Sequence, residues 1–267
     1  MSTFIIKIIA LLTMTIDHIG EFFPALEFSL LLRQIGRMSA VLFIFCVANG
    51  IKHTSNKLKY IERLYLASSI MGIGNGILMF IFQTSNIPIS NNIFPTLMFI
   101  VMICTLDNLS KSDYKNYKKY SMLFIFSQIL TFIIIIIFHS FDNQATNSIV
   151  NGVCPNIISC EGGIEFIFLG YLLYKFGDTK KGLAISYSAF CTFYFILAAV
   201  LGEFSYHNLF EENFQWLMIF SLPIMLLYNG RKGSKTKFSK YFFYLFYPLH
   251  IWLLFIASNI FEFYILP

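Results

Sequence analysis

Nine long apolar runs dominate the sequence and decide what kind of fold it can form. A helix that crosses a bilayer needs about 20 mostly apolar residues, and somewhat fewer where the bilayer thins. The sixth and eighth runs are short enough to be re-entrant or interfacial segments, which would change the side that each later loop reaches. The runs are 4–23, 30–51, 64–82, 93–109, 120–138, 164–176, 183–201, 214–228 and 241–263.

Composition excludes the other broad classes of protein. Hydrophobic residues make up 57% of the 267 residues and charged residues 12%, against roughly 45–50% and about 25% in soluble globular proteins. So few charges could not cover the surface of a soluble fold, which excludes a soluble enzyme, a disordered tail and a fibrous repeat. The sequence therefore predicts an all-α, polytopic membrane helical bundle. We expect about nine transmembrane helices in a single domain, residues 1–267.

Charge placement predicts the orientation of the bundle. Lys and Arg in short loops stay on the cytoplasmic side of a membrane. Of the 19 Lys and Arg residues, 17 lie near the N-terminus or in the even-numbered loops, whereas the odd-numbered loops carry acids such as Asp142, Glu161 and Glu203. We therefore expect the N-terminus inside and the C-terminus outside. A net charge of +5 that is explained by this bias gives no reason to expect a nucleic-acid partner.

The cysteines indicate neither a metal site nor a redox site. Cys46, Cys104 and Cys191 lie in apolar spans and are expected to be core residues. Cys154 and Cys160 share the longest loop, 139–163, where they could form a disulfide or remain thiols. The sequence contains no CxxC or HExxH motif, so we expect no metal.

Two arginines depart from the charge rule. Arg33 and Arg37 begin span two, four residues apart and so on one helix face. Span one contains Asp17, His18 and Glu21. At about 1.5 Å of rise per residue, Asp17 and Arg37 reach the same level in adjacent antiparallel helices. Pairing them would avoid an isolated charge in hydrocarbon, either at a functional site or as a structural ion pair.

Two histidines are predicted to lie near the middle of the bilayer. His18 points about 100° away from the preceding aspartate and so needs a different partner. In span nine, Tyr244, Tyr247 and His250 line one stripe, and Pro248 predicts a kink. Because the helical rise gives His18 and His250 a similar depth, either imidazole is a candidate general base.

Basic loops form two candidate phosphate-binding mouths, although the positive-inside bias alone would also explain them. Cations near helix ends hold pyrophosphates well. The candidate cofactor-binding residues are Arg33, His53, Lys57, Tyr60, Arg63, Asn229 and Arg231.

Several strings of residues resemble the TraX family of membrane proteins, which is linked to N-terminal acetylation of conjugative pilin. The strings are 6–12 leading into IDHIG at 16–20, RQIGR at 33–37, 53–54 with 60–64, LYNG at 227–230 and FYLFYPLH at 243–250. The resemblance implies an acyltransferase of the bacterial cytoplasmic membrane. It would move an acetyl group from cytosolic acetyl-CoA to an amine or hydroxyl of an exported or surface molecule, a peptide N-terminus or a glycan.

The candidate catalytic residues then take specific roles. His18, or else His250, would remove the proton of the acceptor. Arg37 held by Asp17, or Tyr247, would stabilise the developing oxyanion. This hypothesis requires the ionisable groups of the first, second and last spans to converge in a chamber that opens to the cytosol.

Two other functions stay open at this point. The same Asp and His residues could form the proton relay of a proton-coupled transporter or flippase. Alternatively, the chain could be a non-catalytic subunit of an export machine in which the ion pair only holds helices together. Membrane lipids are expected partners in every case.

Overall fold

The computed structural model describes residues 1–83, 85, 87–140, 143–202, 204–234 and 236–265, and the regular elements in that part of the chain are all helices. This confirms the all-α prediction. Three charged loop residues, the acids Asp142 and Glu203 and the cation Lys235, lie outside the described residues. The helices are α1 (Thr3–Phe22), α2 (Ser29–Gly36), α3 (Met38–Lys52), α4 (Lys57–Ile81), α5 (Phe94–Ser112), α6 (Tyr114–His139), α7 (Gln144–Val153), α8 (Gly163–Phe176), α9 (Lys180–Leu201), a π-helical turn (Asn208–Glu212), a 3-10 helix (Phe214–Ser221), α10 (Leu222–Leu226) and α11 (Lys237–Ile265).

The chain forms two compact units. One unit comprises Met1–Asn49 with Leu172–Pro267, and the other comprises Gly50–Tyr171. The first unit therefore contains α1, α2, most of α3, α9, the π-helical turn, the 3-10 helix, α10 and α11. The second unit contains α4 to α7 and most of α8. That residues 1–267 form one functional domain stays a prediction.

Seven segments of the described chain are long and apolar enough to cross a membrane. The two remaining predicted spans are shorter helices, because α8 has 14 residues and the Phe214–Leu226 segment changes from a 3-10 helix to α10 at Pro223. Proline lacks a backbone N–H, so it favours a helix start at this position over an unbroken helix. The prediction of nine spans is thus confirmed for seven: Thr3–Phe22, Ser29–Lys52, Lys57–Ile81, Phe94–Ser112, Tyr114–His139, Lys180–Val200 and Tyr241–Phe261.

Helix α6 has the surface expected of a membrane protein. It is 26 residues long, and Ile135 is its one buried residue, although Ile, Leu and Phe dominate its second half. A long helix that exposes apolar side chains all round is stable where the surroundings are hydrocarbon. We therefore describe the chain as a multi-pass membrane protein.

Within the Gly50–Tyr171 unit, the loop predicted over 139–163 contains a further helix, α7. This helix packs on α4 with almost no gap, because a Cβ atom at Gly72 would lie 2.6 Å from the Cα of Gly152. The hydroxyl of Ser68 donates to the carbonyl of Gly152 at 2.9 Å. Small residues that allow helix backbones to meet are common in membrane bundles. In the same loop, Cys154 and Cys160 are free thiols.

The Gly72–Gly152 contact predicts a stability difference between two glycine variants. A methyl group at Gly72 would also meet the carbonyl of Ser148 at 2.7 Å, and backbone atoms cannot turn aside. We expect Gly72→Ala to destabilise the protein by about 1–3 kcal/mol, the usual cost of overpacking. The matched control is Gly50→Ala, where the nearest atom, the Tyr60 hydroxyl, is 3.9 Å away.

The thermal midpoint of the purified protein in detergent measures this difference. Gly50→Ala should leave the midpoint unchanged or raise it, because alanine favours a helix more than glycine does. If both variants melt at the wild-type temperature, α7 does not pack on α4 in this way.

Candidate functional site

Helices α1 and α2 approach each other closely at two glycines. A Cβ atom at Gly20 would lie 2.6 Å from the carbonyl oxygen of Ser29. A Cβ atom at Gly36 would overlap the side chain of Asp17. Each glycine therefore provides space that another group fills, and at Gly36 that group is the Asp17 carboxylate.

Two arginines and two acids form an ionic network between α1 and α2. The Nη2 of Arg37 donates to both carboxylate oxygens of Asp17, at 2.8 and 3.1 Å. Arg33 binds Glu21 through Nη1 at 2.5 Å and lies 3.7 Å from Asp17 through Nε. The four charges balance, which is the condition for holding them in an apolar bundle. The predicted pairing of Asp17 with Arg37 is confirmed.

Arg37 lies at a break between α2 and α3, where the sequence predicted one continuous span. Its Nε donates to the carbonyl of Arg33 at 3.1 Å, and its Nη1 donates to Oε1 of Gln215 at 3.3 Å. The guanidinium also lies 5.4 Å above the ring of Phe214, within the range of a cation–π contact. These contacts hold the guanidinium plane in one orientation.

The segment that carries Phe214 and Gln215 is irregular, with a π-helical turn followed by a 3-10 helix. Side chains anchor it on both sides. Gln34 of α2 donates to the carbonyl of Phe210 at 2.6 Å, and the hydroxyl of Tyr187 in α9 donates to the carbonyl of Met218 at 2.5 Å. Helical irregularities of this kind are frequent at functional sites. The apolar pattern of the sequence does not single out Phe214 or Gln215, and the available signal is the shortness of the eighth apolar run.

On another face of α1, His18 and His250 form a buried pair. The Nδ1 of His18 lies 2.8 Å from the Nε2 of His250, and the Nδ1 of His250 lies 2.9 Å from the carbonyl oxygen of Phe246. The two histidines are 4% and 7% exposed. The prediction that they lie at one level is therefore confirmed.

Aromatic rings fix the orientation of the histidine pair. The ring of Phe246 stacks on His250 with centroids 5.1 Å apart and planes 16° apart. Tyr247 is buried and contacts both imidazoles, with centroid distances of 6.5 Å to His18 and 5.8 Å to His250. Helix α11 runs on through Pro248, which lies between these contacts.

All five candidate catalytic residues thus belong to one unit, but they form two groups. Asp17 and Arg37 face α2 and the 3-10 helix, whereas His18, His250 and Tyr247 lie between α1 and α11. The division follows from the helix period, because neighbouring residues point about 100° apart.

A cavity of about 960 Å³ lies at the start of α1. The loop after α10 is held there by backbone hydrogen bonds, from Thr3 to the carbonyl of Arg231 at 2.9 Å and from Phe4 to that of Lys232 at 3.2 Å. Gly233 adopts a positive φ of 78°, and a side chain there would meet Ser2. The residues that line the cavity are Met1, Ser2, Ile5, Asn229, Arg231, Lys232 and Gly233.

Only some of the candidate cofactor-binding residues come together. Asn229 and Arg231 line this cavity. Arg33 does not, because it binds Glu21, which lies 16 residues beyond Ile5, or about 25 Å further along α1. Four others belong to the Gly50–Tyr171 unit: His53, Lys57, Tyr60 and Arg63. Within this group, the guanidinium of Arg63 lies 5.7 Å above the ring of Tyr60.

The predicted chamber is not confirmed, because this cavity ends well short of the ionisable groups of α1, α2 and α11. The cavity reaches Ile5, and His18 lies 13 residues further along α1, or about 20 Å. Leu11 and Met14, which share a helix face with His18, are buried between them.

One group of described residues has the spacing of a metal site. Potential ligand atoms of Asp17, His18 and Glu21 lie within 4.8 Å of one another. Both carboxylates, however, already bind the guanidinium groups of Arg33 and Arg37, which would repel a cation. The donors fit an ionic network better than a metal centre, and the expectation of no metal stays a prediction.

One family model matches nearly the whole chain. The model described as "TraX protein" matches residues 2–258. The chain belongs to the TraX family. No curated protein and no solved structure matches it. The match includes the ionic network, the histidine pair and the cavity, so the TraX family relationship applies to the whole candidate site.

The ionic network predicts non-additive effects of two substitutions. Asp17→Leu or Arg37→Leu alone should destabilise the protein by about 3 kcal/mol, because each leaves the four-residue network with one uncompensated charge. The double variant should recover much of that loss, because two apolar side chains can replace an ion pair at little cost. Unfolding free energies of the four proteins in detergent measure the coupling, and additive losses would contradict the pairing.

Proposed function

We propose that this chain is an integral membrane acyltransferase that moves an acetyl group from cytosolic acetyl-CoA to an amine or hydroxyl of an exported or surface molecule. The observation that carries this proposal is the buried His18–His250 hydrogen bond, 2.8 Å long, at the level of α1 where Arg37 binds Asp17. A base and a fixed cation at one level supply two of the groups that acyl transfer needs. The link between the TraX family and pilin acetylation supports the same reaction.

His18 is the proposed general base, and His250 is the second candidate. Arg37 is the proposed group for the developing oxyanion, with Tyr247 as the alternative. Since Asp17, Gln215 and Phe214 hold the guanidinium of Arg37 in one place, it needs no reorganisation when charge develops.

The cavity at the start of α1 is the proposed donor site. Its residues fit the phosphates of acetyl-CoA, because Arg231 and Lys232 supply positive charge and Asn229 supplies an amide. When bound, the donor supplies a thioester, the activated form of the acetyl group. Lys7, with its Nζ 5.2 Å above the ring of Phe243, adds a cation on the helix face that leads to His18.

The orientation is part of the proposal. With the start of α1 inside, the donor cavity faces the cytosol and the ionic network lies toward the opposite surface. The acceptor, a peptide N-terminus or a glycan, would then enter from outside the bacterial cytoplasmic membrane. The 17 cations on one side support this arrangement.

Acetyl transfer by the purified protein tests the proposal. We expect label from acetyl-CoA to move to the acceptor with release of CoA, and His18→Gln to lower the rate about 10²- to 10⁴-fold, the usual contribution of a general base. His207→Gln is the matched control, because His207 lies in the same unit but is exposed and bonded to Glu211 at 2.7 Å. Equal rates for the two variants would assign His18 to packing.

Mass spectrometry of surface and secreted molecules from cells with and without the gene would name the acceptor. A peptide or glycan lighter by one acetyl group in cells without the gene identifies it. No change in any such molecule would count against the transferase.

The donor cavity can be tested by thiol labelling in a background without other cysteines. Because Ile5 lines the cavity, we expect Ile5→Cys to react with a water-soluble thiol reagent and to be protected by acetyl-CoA. Leu12→Cys is the control, because Leu12 does not line the cavity and is 56% exposed on the apolar surface of α1. Equal effects of acetyl-CoA on the two variants would contradict a donor site at the start of α1.

A proton-coupled transporter or flippase is the second candidate. The helix break at Arg37 and the irregular Asn208–Ser221 segment favour it, because transporters often place interrupted helices beside ionisable groups. Proton-driven substrate movement in vesicles, without release of CoA from acetyl-CoA, would support this function over the transferase. If the protein neither transfers an acetyl group nor moves a substrate, the remaining candidate is a non-catalytic subunit of an export machine.

A further inference from the structure

The hydrogen-bond chain from Phe246 through His250 to His18 has only one consistent direction. A backbone carbonyl can only accept, so the Nδ1 of His250, 2.9 Å from the carbonyl oxygen of Phe246, must carry a hydrogen. A neutral imidazole carries a hydrogen on one nitrogen alone. The Nε2 of His250 is therefore an acceptor.

This acceptor determines the tautomer of His18. The Nδ1 of His18 lies 2.8 Å from the Nε2 of His250, and two acceptors cannot share a hydrogen bond. Between two neutral rings, His18 must therefore donate from Nδ1. Its lone pair is then on Nε2, the nitrogen on the far side of the ring.

We propose that the Nε2 of His18 takes the proton of the acceptor and that His250 is a positioning residue that holds His18 in this tautomer. The assignment rests on the proposed function for the source of the proton. As the amine or hydroxyl forms its bond to the acetyl carbon and the carbon–sulfur bond breaks, the acceptor's proton moves to the Nε2 of His18. The His18 imidazolium still donates its Nδ1–H to the Nε2 of His250, and it then gives the Nε2 proton to the leaving thiolate.

The surroundings of His250 suit a positioning role better than a role as base. Both of its ring nitrogens are engaged, one with the Phe246 carbonyl and one with His18. The ring is stacked on Phe246 and edged by Tyr247, so it cannot turn without disturbing α11. The arrangement is analogous to the buried group that orients the base in a catalytic triad.

Nitrogen-15 NMR of the histidine rings tests the tautomers in the wild-type protein without any assay of activity. Two-bond proton–nitrogen correlations separate Nδ1-protonated from Nε2-protonated imidazoles, and His18→Gln and His250→Gln assign the signals. We expect both rings to be protonated on Nδ1. A hydrogen on the Nε2 of His18, or a doubly protonated His250, would overturn the assignment.

Two substitutions at His250 test the positioning role. His250→Gln can place an acceptor oxygen where the Nε2 was, so we expect it to keep His18 protonated on Nδ1 and to retain transfer within about tenfold. His250→Leu removes the acceptor, so we expect transfer to fall about 100-fold or more while the KM for acetyl-CoA stays unchanged. The thermal midpoint of each variant checks that it is folded.

The outcomes separate this inference from the proposed function. If His250→Gln is as inactive as His250→Leu, or if both retain full activity, His250 does not act by holding the tautomer of His18. If the wild-type protein transfers no acetyl group to any acceptor, the proposed function fails, and the NMR experiment still decides the direction of the hydrogen-bond chain.

Discussion

The close approach of α1 and α2 is the constraint on which the rest of the site depends. Charged side chains in an apolar bundle are tolerated only when they are paired and hydrogen-bonded. Here the pairing is possible because Gly36 leaves the space that the Asp17 carboxylate occupies, and Gly20 lets the backbone of α2 come near. A side chain at either glycine would separate the helices, and Arg37 would lose its partner. The site is therefore built on two residues that have no side chain.

Helix α1 separates the ionic network from the histidine pair. One face presents Asp17 to the guanidinium of Arg37, and the next residue presents an imidazole to α11. The helix period sets this division, so the base and the cation are held at one level without touching each other. For acyl transfer this separation is useful, because a base bonded directly to a guanidinium would be a weaker proton acceptor.

Much of the site could be predicted from the sequence, because regular helices have a fixed rise and period. Those two numbers were enough to pair Asp17 with Arg37 and to place His18 level with His250. They fail where the chain is irregular, which is why α7, the helix break at Arg37 and the contact with Gln215 were missed. The rise and the period also describe each helix separately and say nothing about its neighbours. For this reason they do not predict that Arg33, a candidate phosphate-binding residue, binds Glu21 of α1.

The π-helical turn before Phe214 has a consequence for how this region can tolerate change. Such a turn holds one residue more than an α-helical turn, and each residue in a helix rotates those after it by about 100°. Deleting a single residue of the π-helical turn, Asn208–Glu212, would therefore change the direction in which Gln215 points relative to Arg37. Most surface connections accept insertions and deletions readily. In this segment, the number of residues determines where the Oε1 of Gln215 points. A change of length would therefore affect the contact with Arg37 as a substitution of Gln215 would.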